Sequence, residues 1–377
     1  MLPMKHALDN RLTAQRAAHR YRERTVRQPT SAGIDFTSND YLGLSRHPEI
    51  IAAFTEAAGT YGVGAAASQI VTGHTALHSE CEAAFADFFQ RDRALLFSSG
   101  YLANLGVVDA MATARTVIYQ DRYNHASLLD AARLSAATLR RYRHQDADNL
   151  SEKIQQDAAA EVLVSTDGVF SIWGDTAPVA ALAQVTNAHA GILLVDDAHG
   201  AGVSGPQGRG TVAEARLSQA EAPLIVCPLG KAFGTYGAIV AGSDLLIDTL
   251  IQFARTYTYT TAIPPALAAA ATESLAQVKA ADPARAHLAR LVTYCQSEAK
   301  RRGLRIKSSN SPIQAIEQPD NASAVATCAH LKTQGILAYP MRPPTTPKQE
   351  SLIRIVLTAQ HHTSDIDQLF DALQSAT

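Results

Sequence analysis

The chain has 377 residues, 46% of them apolar and 18% charged, which is enough for one large domain and a smaller companion. Lys and Arg number 33 against 35 Asp and Glu, a formal net charge of -2, so no charge excess directs the chain to nucleic acid or a membrane surface. Stretches such as "EVLVSTDGVF" and "HAGILLV" break well short of the ~18 apolar residues a bilayer span needs. With no signal-peptide pattern at the amino terminus, a cytoplasmic location is expected. Cys81, Cys227, Cys295 and Cys328 show no CxxC or metal-ligand spacing, so neither zinc nor a disulfide framework is expected.

In chain order, residues 1–27 carry Lys5, Arg11, Arg16, Arg20, Arg22, Arg24 and Arg27 against Asp9 and Glu23. Leu8, Leu12 and Ala18 give them a weak helical stripe, so a basic helix is expected. Its charge is either a solvated face or an attraction for an acidic or phosphate-bearing partner. From about Asp35, helices alternate with short apolar runs. "HTALHSECEAAFADFFQ" reads as a helix with Leu77, Cys81, Ala84, Phe85 and Phe88 inward, leading into the strand "RALLF". There follow "YLANLGVVDAMA" (helix), "TVIYQ" (strand), "SLLDAARLS" (helix), "EVLVST" (strand), "APVAALAQVTNAH" (helix), and the strands "GILLVDD", "PLIVCP" and "GAIVAG". Apolar strands spaced by helices predict an α/β domain with a mainly parallel sheet covered on both faces. A long helical section from Pro265 to about Arg302 precedes a smaller α+β region. There "LRIKSS", "SPIQAIEQ", "GILAYPMRPPTTP" and "SLIRIVLTA" supply a few strands and "TSDIDQLFDALQS" a closing helix. The expected division is an amino-terminal arm over 1–38, a large domain over 39–275 and a small domain over 276–377.

In such sheets ligands gather beyond the carboxyl ends of the strands. "GILLV" runs out into Asp196, Asp197, Ala198, His199 and Gly200, so a carboxylate and an imidazole leave the sheet together. "FSSGYLAN" (97–104) sets small residues at a strand-to-helix junction, where free amides suit a phosphate; an ordinary cap by Ser98 or Ser99 is the other reading. His125 in "RYNHASLLD" is either a cap-region residue or a flat ring placed against a flat cofactor. In "CPLGKAFG" (227–234), Lys231 is a surface residue if read alone. Beside a strand-end aspartate and a phosphate cradle it becomes an imine-forming amine or a base, and together these parts suit pyridoxal 5'-phosphate.

Seven segments carry a resemblance over almost the whole chain: "NDYLGL", "RALLFSSGYLAN", "NHASLLDAARLS", "DGVFSIWGDTAP", "VDDAHGAGVSGPQGRG", "GKAFGTYGA" and "RPPTTP". On them the sequence resembles the α-oxoamine synthases, pyridoxal-phosphate enzymes of the aspartate aminotransferase fold (fold type I). The resemblance implies a seven-stranded, mainly parallel sheet in the large domain. It also implies that Lys231 forms the imine with the cofactor, that Asp196 pairs with the pyridine nitrogen, and that His199 and Ser171 reach the phenolic oxygen region. His125 would stack on the ring, and the backbone of Gly100 and Tyr101 would hold the phosphate. Thr261, in "YTTAIPP", would contact the phosphate bound by the partner chain of a homodimer. Asn39 and Arg354 would bind the amino-acid carboxylate, and Thr345 and Arg22 the acyl substrate.

The implied reaction is a decarboxylative condensation of L-alanine with a pimeloyl thioester, of coenzyme A or acyl carrier protein, giving 8-amino-7-oxononanoate, CO2 and free thiol for biotin biosynthesis. Glycine or serine with another acyl-CoA is the alternative, and a non-catalytic partner subunit a remote one, which the presence of Lys231 opposes. Three features depart from the family pattern. Pro228 replaces a Thr or Ser three residues before the lysine and has neither hydroxyl nor N–H, so weaker cofactor retention is expected. Alanines stand at 65–67 in the glycine-rich stretch, and Asp167 replaces a Glu.

Overall fold

The structure, a computed structural model, describes residues 3–24, 26 and 33–375; Arg27 of the expected basic segment lies outside them. The chain divides into two compact units, residues 39–171 with 176–286, and residues 1–38 with 172–175 and 287–377. The second division therefore falls after Ala286, whereas the boundary expected after residue 275 lies inside a helix.

Helix α1 (Pro3–Ala17) buries none of its residues, and Leu8 and Leu12 are exposed. It is shorter than expected: Ala17 ends it, so Arg20, Arg22 and Arg24 follow the helix instead of lining its face. Strand β1 (Ile34–Asp35) completes the amino-terminal part of its unit.

The larger unit begins with α2 (Pro48–Tyr61) and α3 (Ala76–Phe89) and continues with β2 (Arg93–Phe97), α4 (Gly100–Met111), β3 (Thr116–Asp121), α5 (Ala126–Leu134) and β4 (Thr138–Tyr142). After α6 (Ala147–Asp157) come β5 (Glu161–Asp167), α7 (Val179–Ala188), β6 (Ile192–Asp196), α8 (Thr211–Glu214), β7 (Leu224–Pro228), β8 (Ala238–Gly242), α9 (Asp244–Phe253), α10 (Arg255–Thr258) and α11 (Pro265–Ala280). The expected α/β architecture is borne out as a seven-stranded sheet of order β2-β8-β7-β6-β5-β3-β4, parallel except where β8 meets β2 and β7. Its central strands are buried along nearly their whole length, as strands covered on both faces must be.

The strand β4 and the helix α6 were not legible as apolar runs, for a physical reason. In "TLRRY" only Tyr142 is fully buried, because β4 is an edge strand. Helix α6 buries only Asn149, Leu150 and Ile154. Inside α3 the buried set is His78, Cys81, Phe85, Ala86, Phe88 and Phe89; Leu77 and Ala84, expected inward, are half-buried.

The section expected as one long helix is two, α11 and α12 (Asp282–Arg301). Pro283 stands in the first turn of α12, where a missing N–H costs nothing, but it could not continue α11. In the smaller unit β9 (Ile313–Gln318), β11 (Tyr339–Met341) and β12 (Ser351–Val356) form an antiparallel sheet of order β11-β12-β9, while β1 pairs in parallel with β10 (Ile336–Leu337). Helices α13 (Asn321–Thr333) and α14 (Thr363–Ser375) belong to the same unit. "LRIKSS" contributes only an isolated bridge at Ile306. Helix α13 escaped the sequence reading because it buries only Ala324 and Leu331.

Glu82 of α3 fixes the end of β2 from which the phosphate-cradle segment departs. Its Oε1 accepts the Leu96 N–H at 2.8 Å, and burial pushes its carboxyl pKa up to about 7 from 4.5. The folded chain thus keeps a proton that the unfolded chain has released. The stabilisation from that proton is complete below the unfolded pKa and is lost as pH rises through about 7. Glu82→Gln keeps an acceptor oxygen without a titrating group. It should gain stability over the parent on going from pH 5 to pH 8, by about 1–3 kcal/mol. Denaturant unfolding at both pH values checks this, and an equal difference at the two would refute it.

Candidate active site

Parallel β5, β6 and β7 end at the same side of the sheet, and their backbones are tied there. Gly168 N donates to Asp196 O at 2.8 Å and Asp197 N donates to Val226 O at 2.8 Å. Register therefore delivers Asp167, Asp196 and the turn after Pro228 to one place. A cavity of about 200 Å³ opens there, lined by Gly100, Tyr101, His125, Ser127, Asp167, Ser171, Asp196, Ala198, His199, Pro228 and Lys231.

Asp196 is 3% exposed. Its Oδ2 accepts from Asn104 Nδ2 at 2.6 Å, and its Oδ1 is buried with no hydrogen-bond partner among the described residues. An unpaired buried carboxylate oxygen is costly to leave unmatched and calls for a donor supplied from outside the chain. Asn104, from the middle of α4, also donates to Ser127 Oγ at 2.8 Å. That hydroxyl lies 2.8 Å from His125 Nδ1.

His125 caps α5, its ring accepting from the Ser127 N–H, and also lines the cavity. Its backbone N donates to Asp167 Oδ2 at 2.9 Å. Desolvation in the cavity holds the His125 pKa below the ordinary imidazole value, with the charge of Asp196 opposing. Burial, and then the neighbouring Asp196, push the Asp167 carboxyl well above the usual range. Burial likewise raises Asp197 to about 7, although its two oxygens accept from the N–H and hydroxyl of Thr211.

Buried His199 places Nδ1 2.6 Å from the Tyr41 hydroxyl, which also reaches Asn39 Oδ1 at 3.4 Å. Lys231 is half-buried in a turn closed by Leu229 N to Gly237 O at 2.9 Å and Gly234 N to Lys231 O at 2.9 Å. Gly234 takes φ 62°, and a side chain there would collide with the backbone of Leu44 and Ser45, so glycine is required at that point.

At the other wall Ser99 caps α4 by accepting from Leu102 N at 3.3 Å. The amides of Gly100 and Tyr101, in the first turn, have no intrahelical acceptors. Pro228 sits directly against this helix start: a Cβ on Gly100 would overlap the proline ring. The donor set fits pyridoxal phosphate on this chain's own geometry. There is an amine on Lys231, a buried unpaired oxygen on Asp196 for a ring N–H, a flat imidazole on His125, and open helix-start amides for a phosphate.

Seven expected residues thus line one cavity: Gly100, Tyr101, His125, Ser171, Asp196, His199 and Lys231. Asn39 belongs to the same unit and joins them through Tyr41. Thr261 does not line the cavity; it is exposed and bridged to Ser68. In the smaller unit Arg22 Nη2 donates to Thr345 Oγ1 at 3.0 Å, and both line a second cavity of about 330 Å³ with Arg20, Tyr21, Tyr339 and Arg342. Arg354 is half-buried on β12, opposite Tyr339 and Ala315. Sequence reasoning gave no role to Tyr41, Asn104 or Ser127. Asn104 carried a signal, as a polar residue in an otherwise apolar stretch of α4.

Residues 31–373 match the aminotransferase class I and II family, and the chain belongs to it. The resemblance to α-oxoamine synthases is borne out by the relatives. One is an 8-amino-7-oxononanoate synthase of Marinobacter nauticus, 48% identical over 340 residues, which cover 90% of this chain and 86% of that protein. Among solved structures, an 8-amino-7-oxononanoate synthase from Francisella tularensis matches with TM-score 0.80 at 32% identity, over 91% of this chain and 97% of that one. A serine palmitoyltransferase from S. paucimobilis with a bound PLP–myriocin aldimine matches with TM-score 0.91 at 28% identity, over 100% of this chain and 98% of that one.

Pro228 gives the first prediction for this site. A hydroxyl at that position would face the open amides of α4 and add a hydrogen bond to a phosphate, commonly about 1.5–3 kcal/mol when charge-assisted. Pro228→Thr should therefore lower the Kd for pyridoxal phosphate by roughly tenfold or more, read by absorbance titration of the cofactor-free protein. Gly100→Ala should raise it, because the added methyl drives the helix start away from the proline. An unchanged Kd in both variants would remove the phosphate from this corner.

Proposed function

We propose that the chain is a pyridoxal-phosphate-dependent acyltransferase that condenses L-alanine with a pimeloyl thioester, releasing CO2 and free thiol and giving 8-amino-7-oxononanoate, a step of biotin biosynthesis. The observation that carries the reading is the unpaired Oδ1 of Asp196 in the same cavity as the Lys231 amine. Identity of 48% to an 8-amino-7-oxononanoate synthase supports the choice of substrates.

Bound pyridoxal phosphate supplies an electron sink for negative charge at the amino acid's Cα. The chain's residues do the rest. The Asp196 carboxylate would hold the proton of the pyridine nitrogen through its unpaired oxygen. Lys231 would take the proton from the amino acid's Cα and later return one. Desolvation lowers the His125 pKa and so favours a neutral ring at the cofactor site, and the Gly100 and Tyr101 amides would hold the phosphate. His199, oriented by Tyr41, and Ser171 serve the phenolic oxygen.

Arg354 and Asn39 hold the alanine carboxylate, Arg354 in a bidentate fork. Arg22 and Thr345, joined by their hydrogen bond, receive the acyl group. The active unit is a homodimer in this reading, with Thr261 of each chain serving the phosphate bound by the other. The donor is the coenzyme A or the carrier-protein thioester, and the setting is cytoplasmic. No helix among the described residues is long and apolar enough to cross a membrane. The likeness to a serine palmitoyltransferase structure favours one rival, serine or glycine with another acyl-CoA.

A turnover screen of alanine, glycine and serine against pimeloyl and other acyl thioesters, with product mass measured, separates these readings. Alanine with pimeloyl thioester should be fastest, and a faster rival pair would overturn the substrate assignment. Lys231→Ala should lose at least a thousandfold in turnover, together with the visible absorbance band of the holoenzyme. Retention of both would sink the catalytic reading. Arg22→Gln, which removes a charged contact worth about 1.5–3 kcal/mol, should raise KM for the pimeloyl thioester about tenfold or more with kcat little changed. An unaltered KM would take Arg22 out of the acyl site.

A further inference from the structure

The wall of the cavity formed by the start of α4 depends on the outermost strand of the sheet. Strand β2 pairs with β8 on one side and, among the described residues, has no strand on the other. At Leu96, four residues before Gly100, both backbone polar groups are taken by side chains. Gln69 Nε2 donates to Leu96 O at 2.7 Å, and Glu82 Oε1 accepts from Leu96 N at 2.8 Å.

Any polar side chain can cover an open sheet edge, but here a third residue fixes the other two. The Leu96 carbonyl can only accept, so the Gln69 amide presents Nε2 to it and turns Oε1 toward His74 Nδ1, 2.7 Å away. That ring nitrogen must then carry the proton. His74 Nε2 lies 2.9 Å from Ser79 Oγ and 3.9 Å from Glu82 Oε2. Desolvation holds the His74 pKa below the ordinary imidazole value, which favours the neutral ring. His74 thus dictates which end of the Gln69 amide meets the strand.

The segment that carries Gln69 is itself held. Residues Gln69–Gly73 form a single π-helical turn, and Gln69 is buried. Gly73 N donates to Ser68 O at 2.9 Å, and a Cβ on Gly73 would overlap Ala67 O and the Ala262 side chain. Ala262 N donates to Ala67 O at 2.9 Å, and Ser68 is bridged to Thr261. The amide of Gln69 therefore reaches Leu96 from a fixed base.

We propose that Gln69 and His74 are positioning residues for the cofactor's phosphate: with Glu82 they clamp both backbone groups of Leu96 and so set the direction of the Gly100 and Tyr101 amides. The proposal deepens the cofactor reading given above and rests on its placement of the phosphate at the start of α4. Helix-start amides hold an anion only as well as they are aimed. The short run from Leu96 to Gly100 passes any shift of the strand end on to them.

The test compares pyridoxal phosphate with pyridoxal, which has the same aldehyde and ring but no phosphate. The cofactor-free, full-length parent and the variants Gln69→Met, His74→Leu and His74→Asn are titrated with each and followed by absorbance, with melting temperature as the folding control. Gln69→Met keeps the length of the side chain and loses its amide. His74→Leu loses the donor that orients Gln69, and His74→Asn keeps a donor at the position of Nδ1. The Kd for pyridoxal phosphate should rise about tenfold in Gln69→Met and His74→Leu and stay within about threefold of the parent in His74→Asn. The Kd for pyridoxal should be unchanged in all three.

A role confined to covering the strand edge would weaken both ligands alike along with the melting temperature, and that result overturns the proposal. An unchanged Kd for pyridoxal phosphate in Gln69→Met and His74→Leu overturns it too. If Gln69→Met does not fold, the two His74 variants decide alone. Gly100→Ala separates the clamp from the reading beneath it. An unchanged Kd in that variant takes the phosphate away from α4, and both fall; a raised Kd there, beside unchanged values in the clamp variants, overturns the clamp only.

Discussion

The Asp196 carboxylate, buried at the end of β6 with one oxygen held by Asn104 and the other unmatched among the described residues, is the constraint around which the larger unit is arranged. A buried acceptor without a donor costs about 1–3 kcal/mol, and more when charged. A fold keeps such a group only where its surroundings give it no escape. Here β6 lies between β5 and β7, and backbone hydrogen bonds at Gly168 and Asp197 lock the strand end on both sides. Because the same ladders set Asp167 and Pro228, the position of one carboxylate and the position of the lysine turn are a single geometric decision.

The opposite wall depends on packing of a different kind. Helix α4 must start where β2 ends. That end is held by Glu82 from α3 and by Gln69, whose amide donates to Leu96 O at 2.7 Å. Pro228 then packs against Gly100, where an added Cβ would meet the proline ring. The proline removes a hydroxyl from the cavity but fits the helix start closely.

The cavity and a basic basin share one sheet edge because parallel strands bring all their carboxyl ends to the same side. The central strands end in acids and small residues around the enclosed cavity, while Arg122 and Arg141 flank the ends of the edge pair β3 and β4 and line an open basin. The smaller unit holds its own cluster, where Arg22 and Thr345 meet although 323 positions separate them.

Much of this was legible in the residues themselves. Buried strands such as "GILLVDD" announce themselves because both faces must be apolar, and Lys231, Asp196, His199 and His125 stand at strand ends where polar residues are conspicuous. Edge strand β4 and helices α6 and α13 were silent, since an element that buries one to three side chains has no apolar run to show. The sequence by itself determined the parallel sheet, the order of its strands along the chain and the residue types at their ends, because burial dictates hydrophobic pattern locally. Only the tertiary structure decided that Asn104 takes one oxygen of Asp196 and leaves the other unpaired, that Pro228 abuts Gly100, and that Arg122, Arg141 and Lys153 converge. These depend on which distant segments the sheet register brings within hydrogen-bond reach, and no local pattern encodes that distance.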